Sequence, residues 1–250
     1  MAQHTTPWSG HDLVKDRLRT TVWTQLKAQG AAVGDPVGHI PRFVGNDRAA
    51  AQLAMLSMWQ QARIIKCNPD QAQTPVRLRA LQENKLLYMA VPRLTEERCF
   101  VELTAAGLRQ RGVAFEVAAT SRGAMQHGRL VALDAMSPID LVIVGCVAVS
   151  RDGGRTGKGA GFADLELGLL RQQGLIQADT PIVTTVHALQ IVPSAELPMR
   201  AHDWSLTWLV TPDEAIATAV LRAQPPGLLR AHLRPEQLTT IPILRTLSSS

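Results

Sequence analysis

The stretch that decides the fold is Asp140–Ser150, DLVIVGCVAVS, with Gly153–Asp164, GGRTGKGAGFAD, directly behind it. The first is almost wholly apolar, as a central strand covered on both faces must be. The second puts five glycines, an arginine and a lysine into twelve residues and runs into the helical pattern FADLELGLLRQQG. A buried strand, a glycine loop and a helix place that loop at the carboxyl end of a parallel sheet, where open α/β folds bind ligands.

The same alternation extends outward on both sides. RIIKCN (63–68), LLYMAVP (86–92), PIVTTV (181–186) and LTWLVT (206–211) read as strands, and so does VAFEVAA (113–119). PVRLRALQENK (75–85) and LTAAGLRQRG (103–112) read as helices, and PDEAIATAVLRA (212–223) as a capped helix. Toward the N-terminus, Leu13, Leu18, Val22 and Leu26 keep helical spacing between a Ser9 cap and a Gly30 stop. NDRAAAQLAMLSMWQQA (46–62) predicts another helix, capped by Asn46 or Asp47, after a Gly- and Pro-rich extended connection over 31–45. Strands alternating with helices imply an α/β fold with a largely parallel sheet. We expect one domain over residues 1–250, frayed at 1–10 and 246–250.

Composition narrows the function. Hydrophobic residues make up 46% and charged residues 19% of 250, which is the balance of a folded globular chain. Aromatics at 4% leave little for a surface that stacks single-stranded bases, so nucleic acid ranks below small anionic ligands as a partner for the +5 net charge. Three cysteines, widely spaced, form neither a disulfide framework nor a CxxC metal site. No basic leader and no apolar run of bilayer length is present, so the expected location is cytoplasmic, without a membrane.

The glycine loop carries the chemistry. Gly157, Gly159 and Gly161 permit positive φ and carry no side chains, so successive amides can converge on an anion. Arg155 and Lys158 add charge, and the helix that follows adds its positive end. A phosphate suits that arrangement. The loop is not a Walker A motif, because Asp152 and Gly159 occupy the places of the first glycine and the hydroxyl. It is not GxGxxG either, because Phe162 stands at the third glycine.

On these residues the sequence resembles the 5-formyltetrahydrofolate cyclo-ligase family, also called 5,10-methenyltetrahydrofolate synthetase. RTGKGAGFADL (155–165) is similar to the family loop RLGxGxGYYDR, KDRLR (15–19) to its KxxLR helix, and ENKLLYMAVPR (83–93) to its GKxVxLPR strand. HALQIVPSAELPMRAHDWSLTWLVTPDEAI (187–216) is similar to the closing block, in which a Gln precedes HDxxLDxIVT. The resemblance implies a three-layer α/β/α fold of the ribose-5-phosphate isomerase and CoA transferase kind. It implies an ATP- and Mg2+-dependent ligase that makes 5,10-methenyltetrahydrofolate with release of ADP and phosphate.

Residue by residue, the resemblance assigns Lys15 and Arg19 to nucleotide phosphates, although a solvated basic face explains the pair equally well. Arg155, Gly157, Lys158, Gly159, Ala160, Gly161 and Phe162 match the phosphate loop, with Arg155 and Lys158 as the catalytic cations. Asp164 closes that loop and is either a Mg2+ ligand or a helix cap. Asp203 is either a second metal ligand or a turn residue, and Gln190 is placed to line the substrate site. His187 and His202 read as packing residues, since the seven histidines show no metal-ligand spacing.

Two departures bear on the substrate. Phe162, Ala163 and Leu165 stand where the family has two tyrosines and an arginine, and TPVRLR (74–79) stands where it has an EVxT glutamate on the pterin. Pro75 and Val76 have no side-chain acceptor to replace that glutamate. The chain therefore resembles a divergent branch. It acts on folate, acts on another small formamide or amide, or binds nucleotide or RNA without turnover.

Overall fold

The apolar runs pair into one eight-stranded sheet in a computed structural model that describes residues 12–219 and 223–246. The strands are β1 (Ile64–Cys67), β2 (Leu86–Ala90), β3 (Phe100–Leu103), β4 (Arg129–Val131) and β5 (Leu141–Ile143). They are followed by β6 (Ala148–Val149), β7 (Arg155–Thr156), β8 (Ile182–Thr185), β9 (Trp208–Val210) and β10 (Ala215–Ala217). The order is β10-β9-β8-β5-β1-β2-β3-β4, with β6 and β7 in a separate ribbon. From β9 to β2 the strands run parallel; β10, β3 and β4 add antiparallel edges.

Because side chains alternate across a strand, each strand feeds two cores. Val142, Tyr88 and Ala90 face α8 (introduced by the glycine loop, Phe162–Gln172) through Leu167, Leu169 and Leu170. Ile65, Cys67, Leu87, Leu141 and Ile143 face the other side. That side is covered by α2 (Asn46–Ala54), α3 (Ser57–Gln61), α4 (Thr74–Gln82), α5 (Ala105–Gln110), α6 (Phe115–Ala118) and α7 (Ser121–His127). Helices on both faces make the three expected layers. A third cluster forms where α1 (Leu13–Ala28) lays Leu18, Val22 and Leu26 on Ala148 and Leu197; each such burial is worth about 1.5–3 kcal/mol. The chain ends in α9 (Pro235–Thr240) and α10 (Pro242–Thr246), the latter packed under α8 through Ile243 and Leu244.

Several local expectations are corrected. DLVIVGCVAVS is not one strand: β5 stops at Ile143, and the chain turns at Val144–Val147 into β6. The run is apolar because every residue from Leu141 to Val149 is buried, not because it is all strand. VAFEVAA is the short helix α6, since Ala118 and Ala119 pack into the helical layer and Arg77 Nε grips the Ala119 carbonyl at 2.7 Å. Packing overrides β-propensity there.

PDEAIATAVLRA does not begin a helix. Thr211 Oγ1 accepts from the N–H groups of Asp213 and Glu214, and this turn sends Ala215–Ala217 back along β9 as a strand. NDRAAAQLAMLSMWQQA breaks between α2 and α3 at Met55–Leu56, and the cap of α2 is Gly45 at φ +85°, not Asn46 or Asp47. Asp12 caps α1 by accepting from the N–H groups of Val14 and Lys15. Ser9 and residues 1–10 lie outside the described residues, as do 247–250, whereas Thr246 ends α10. Among the described residues no helix is long and apolar enough to cross a membrane.

Candidate functional site

The carboxyl ends of β1, β2 and β5 open onto a cleft of about 990 Å³, at the upper end of the roughly 300–1,000 Å³ usual for small-molecule sites. One wall is the loop between β7 and α8. Gly159 at φ +109° and Gly161 at φ +74° turn that loop, and Gly161 caps α8 without a side chain. Among the described residues the N–H groups of residues 157–161 donate to no protein acceptor. All five residues line the cleft.

Cations surround these amides. From α1, the Arg19 guanidinium packs under the loop: Nε donates to the Gly157 carbonyl at 2.7 Å, Nη2 to Thr156 Oγ1 at 3.0 Å, and Nη1 to Asp16. Lys15, one turn earlier, pairs with Asp203. Arg155 is almost wholly enclosed, with Nε on the Trp204 carbonyl at 2.8 Å and Nη2 on Asp164. Burial alone would pull its pKa down, but Asp164, Cys146 and Asp203 together more than offset this and leave it raised. For Arg19 burial prevails over Asp16 and lowers the pKa. Lys158 is more accessible than these three, 43% exposed, with Nζ 3.1 Å from Asp70 Oδ1.

Every expected nucleotide or metal residue therefore lines this one cleft: Lys15, Arg19, the run 155–162, Asp164 and Asp203. The solvated-face explanation for Lys15 and Arg19 does not match their burial. Asp164 does not cap α8. Its Oδ1 receives Arg155 and the Trp204 N–H at 3.0 Å, so it ties the loop to the 200–204 turn. Asp203 receives the Arg200 N–H at 2.6 Å in that same turn. The two carboxylates can accompany a cation and phosphates; among the described residues no three His, Cys, Asp or Glu side chains cluster as a metal cage.

Gln190 sits elsewhere. It is buried, its Nε2 donates to the carbonyls of Cys146 and Val147 at 2.9 and 3.1 Å, and its Oε1 accepts from the His187 N–H at 2.8 Å. Its amide is spent on the turn between β5 and β6 and does not line the cleft. His187 stays outside as well, while His202 lines the cleft with its Nδ1 3.1 Å from His232 Nδ1.

The sequence reading missed the floor of the cleft. Lys66 Nζ, on β1, meets Glu166 Oε2 of α8 at 2.5 Å, and Asn68 Nδ2 reaches the same oxygen at 3.1 Å. A lysine inside IIKC and a glutamate inside DLELGLL were the available signal, because charges in runs that must be buried require partners. Arg93, on the rim at the end of β2, takes the unusual φ of +61°.

The chain was compared with known proteins. The model of the 5-formyltetrahydrofolate cyclo-ligase family matches residues 12–212. Methenyltetrahydrofolate synthase domain-containing proteins of Bos taurus and Mus musculus are each 36% identical over 235 residues, 93% of this chain. The chain spans 61% and 63% of their lengths, so about three fifths of these curated relatives. An NMR structure of Aquifex aeolicus 5,10-methenyltetrahydrofolate synthetase superposes with a TM-score of 0.51 at 17% identity, covering 88% of this chain and 100% of that one. That likeness shows a shared fold, and the family match shows descent: the chain belongs to the 5-formyltetrahydrofolate cyclo-ligase family.

Proposed function

We propose that this protein is an ATP- and Mg2+-dependent ligase that converts 5-formyltetrahydrofolate into 5,10-methenyltetrahydrofolate, releasing ADP and phosphate. The observation that carries the reading is the row of unpartnered amides over residues 157–161 on the cleft wall, backed by Arg19, Arg155 and Lys158. In such a reaction the formyl oxygen takes the terminal phosphoryl group, ADP departs, the neighbouring nitrogen closes on the activated carbon, and phosphate leaves. The protein's work is to hold the reactants in line and to balance charge that shifts onto phosphoryl oxygens. Loop amides and Lys158 bind the polyphosphate. Arg155, fixed by Asp164 and Trp204, supplies a cation that needs no rearrangement as charge develops. Asp164 and Asp203 suit Mg2+, which is commonly held by one or two carboxylates plus phosphate oxygens and water. Bound there, the ion adds charge neutralisation beside the phosphates.

A ligand that binds only the folded state stabilises it by about 2.7 kcal/mol at a hundredfold excess over its Kd. Mg-ATP is thus expected to raise the Tm, and Lys158→Ala to shrink that rise; an unchanged Tm in both proteins refutes the reading. Ala163 and Leu165, where the family has Tyr and Arg, favour a second reading in which nucleotide or RNA binds without turnover. Phosphate release with 5-formyltetrahydrofolate supports the first reading. A salt-sensitive RNA gel shift without phosphate release supports the second.

A further inference from the structure

Glu166 is a carboxylate in the middle of the apolar face of α8, between Leu165 and Leu167. Its partner Lys66 is 0% exposed, the one charge in β1. A buried ion pair stabilises no better than apolar residues of similar size, so stability alone does not account for its placement. The distribution of its hydrogen bonds is more informative. Lys66 Nζ and Asn68 Nδ2 both converge on Oε2, at 2.5 and 3.1 Å, while Lys66 also holds Asn68 Oδ1 at 3.2 Å. Among the described residues Oε1 accepts no hydrogen bond. That oxygen is not sealed in, because among the described residues the enclosed side-chain polar atoms without partners are the Gln73 amide atoms and Thr185 Oγ1. Glu166 and Asn68 both line the cleft. One oxygen is therefore anchored by the protein and the other is presented to a ligand.

We propose that Glu166 Oε1 reads an N–H edge of the heterocyclic substrate, a ring N–H with its adjacent amino group, and that Lys66 and Asn68 are the positioning residues that aim it. This rests on the folate reading above, in which the pterin carries such an edge. It answers the absence of an acceptor at Pro75 and Val76: the carboxylate comes from the opposite wall, on α8. Among the described residues Asp70 also lines the cleft with one oxygen free of partners, but its other oxygen is held only by the half-exposed Lys158, whereas two buried donors fix Glu166. Gln73, though unpartnered, does not line the cleft.

The test is a selectivity ratio. Binding of 5-formyltetrahydrofolate is compared with that of its 2-desamino analogue, by calorimetry in the presence of a non-hydrolysable Mg-ATP analogue. The wild-type chain is expected to prefer the amino compound by about 10- to 100-fold, the range for a hydrogen bond to a charged acceptor. In Lys66→Met/Glu166→Met, which removes both charges together, the ratio is expected to fall below about threefold while the Mg-ATP thermal shift persists. A double variant that keeps the full ratio overturns the role of Glu166 and leaves the folate reading standing. Wild-type protein that binds the Mg-ATP analogue but no folate overturns both. Should the double variant fail to fold, the wild-type ratio decides alone, and a value below about twofold overturns the inference.

Discussion

Cations are held on both sides of the sheet, but by a different balance of partners. In the helical layer of α2–α7, Arg77 and Lys85 are held mainly by main-chain carbonyls, with Glu83 Oε2 3.8 Å from Lys85 Nζ. Arg77 reaches the carbonyls of Ala119, Asn68 and Asp70 and the hydroxyl of Thr74, and Lys85 reaches those of Trp59 and Ala62 at 2.8 and 2.7 Å. At the cleft, the buried Lys15 and Arg155 and the half-exposed Lys158 each face a carboxylate, and the enclosed Lys66 faces Glu166, which lines the cleft. Carbonyls are fixed parts of the backbone, so the first arrangement works as a clamp. Carboxylates are side chains whose remaining lone pairs can be shared with a bound cation, so the second suits a site that must accept and release charge.

That contrast is broken or sharpened by substitution. The largest effect is expected for Arg77→Met, which strands the carbonyls of Ala119 and Asn68 inside the helical layer, while that of Asp70 keeps the Gln73 N–H; each unpaired group costs about 1–3 kcal/mol, so a loss of about 2–5 kcal/mol is expected in urea unfolding. A well-folded Arg77→Met protein with a weakened Mg-ATP shift would show that the clamp belongs to the site after all.

A smaller loss, about 1 kcal/mol, is expected for Asp12→Ala, which removes the cap of α1 and the pair with Arg200 at 2.9 Å. Asp12 also sets a pH dependence. Its burial would raise its pKa, but the Lys15 N–H and the Arg200 guanidinium hold it below the usual 3.8. Asp152 is lowered in the same sense: burial raises it, and hydrogen bonds from Ser150 and Ser194 more than offset that. A depressed carboxyl contributes stability that is complete above its unfolded value and lost as pH falls through its folded one. Wild-type stability is therefore expected to decline below about pH 4, and less steeply in Asp12→Ala.

The smallest stability effect, under about 0.5 kcal/mol, is expected for Lys158→Ala, since a half-exposed pair with Asp70 is worth little. That variant should still lose much of the Mg-ATP shift, and this separation of binding from stability is the sharpest form of the contrast.

How legible each strand was varied with the residues around it. β1, β2, β8 and β9 are apolar runs between breakers, and the pattern showed them. β3 and β4 are no shorter than β1 and β9, but each carries a charge, Glu102 and Arg129, that interrupts the apolar run, and they were missed. α6 was misread because its residues have strand propensity and only Arg77 and the neighbouring helices make them helical. At the site, the glycine loop and its cations were visible as local sequence. Glu166 and Lys66 were not, because 100 residues separate them and neither belongs to a motif.

Taken alone, the sequence determined the layered α/β arrangement, the glycine loop at the end of a buried strand, and the family, because these depend on periodicity and on contiguous residues. Only the tertiary structure decided that Lys15, Arg19 and Asp203 meet that loop, that Gln190 serves the β5–β6 turn, and that Lys66 reaches Glu166. Those outcomes depend on which distant side chains must share a desolvated space, and that space does not exist until the helices close over the sheet.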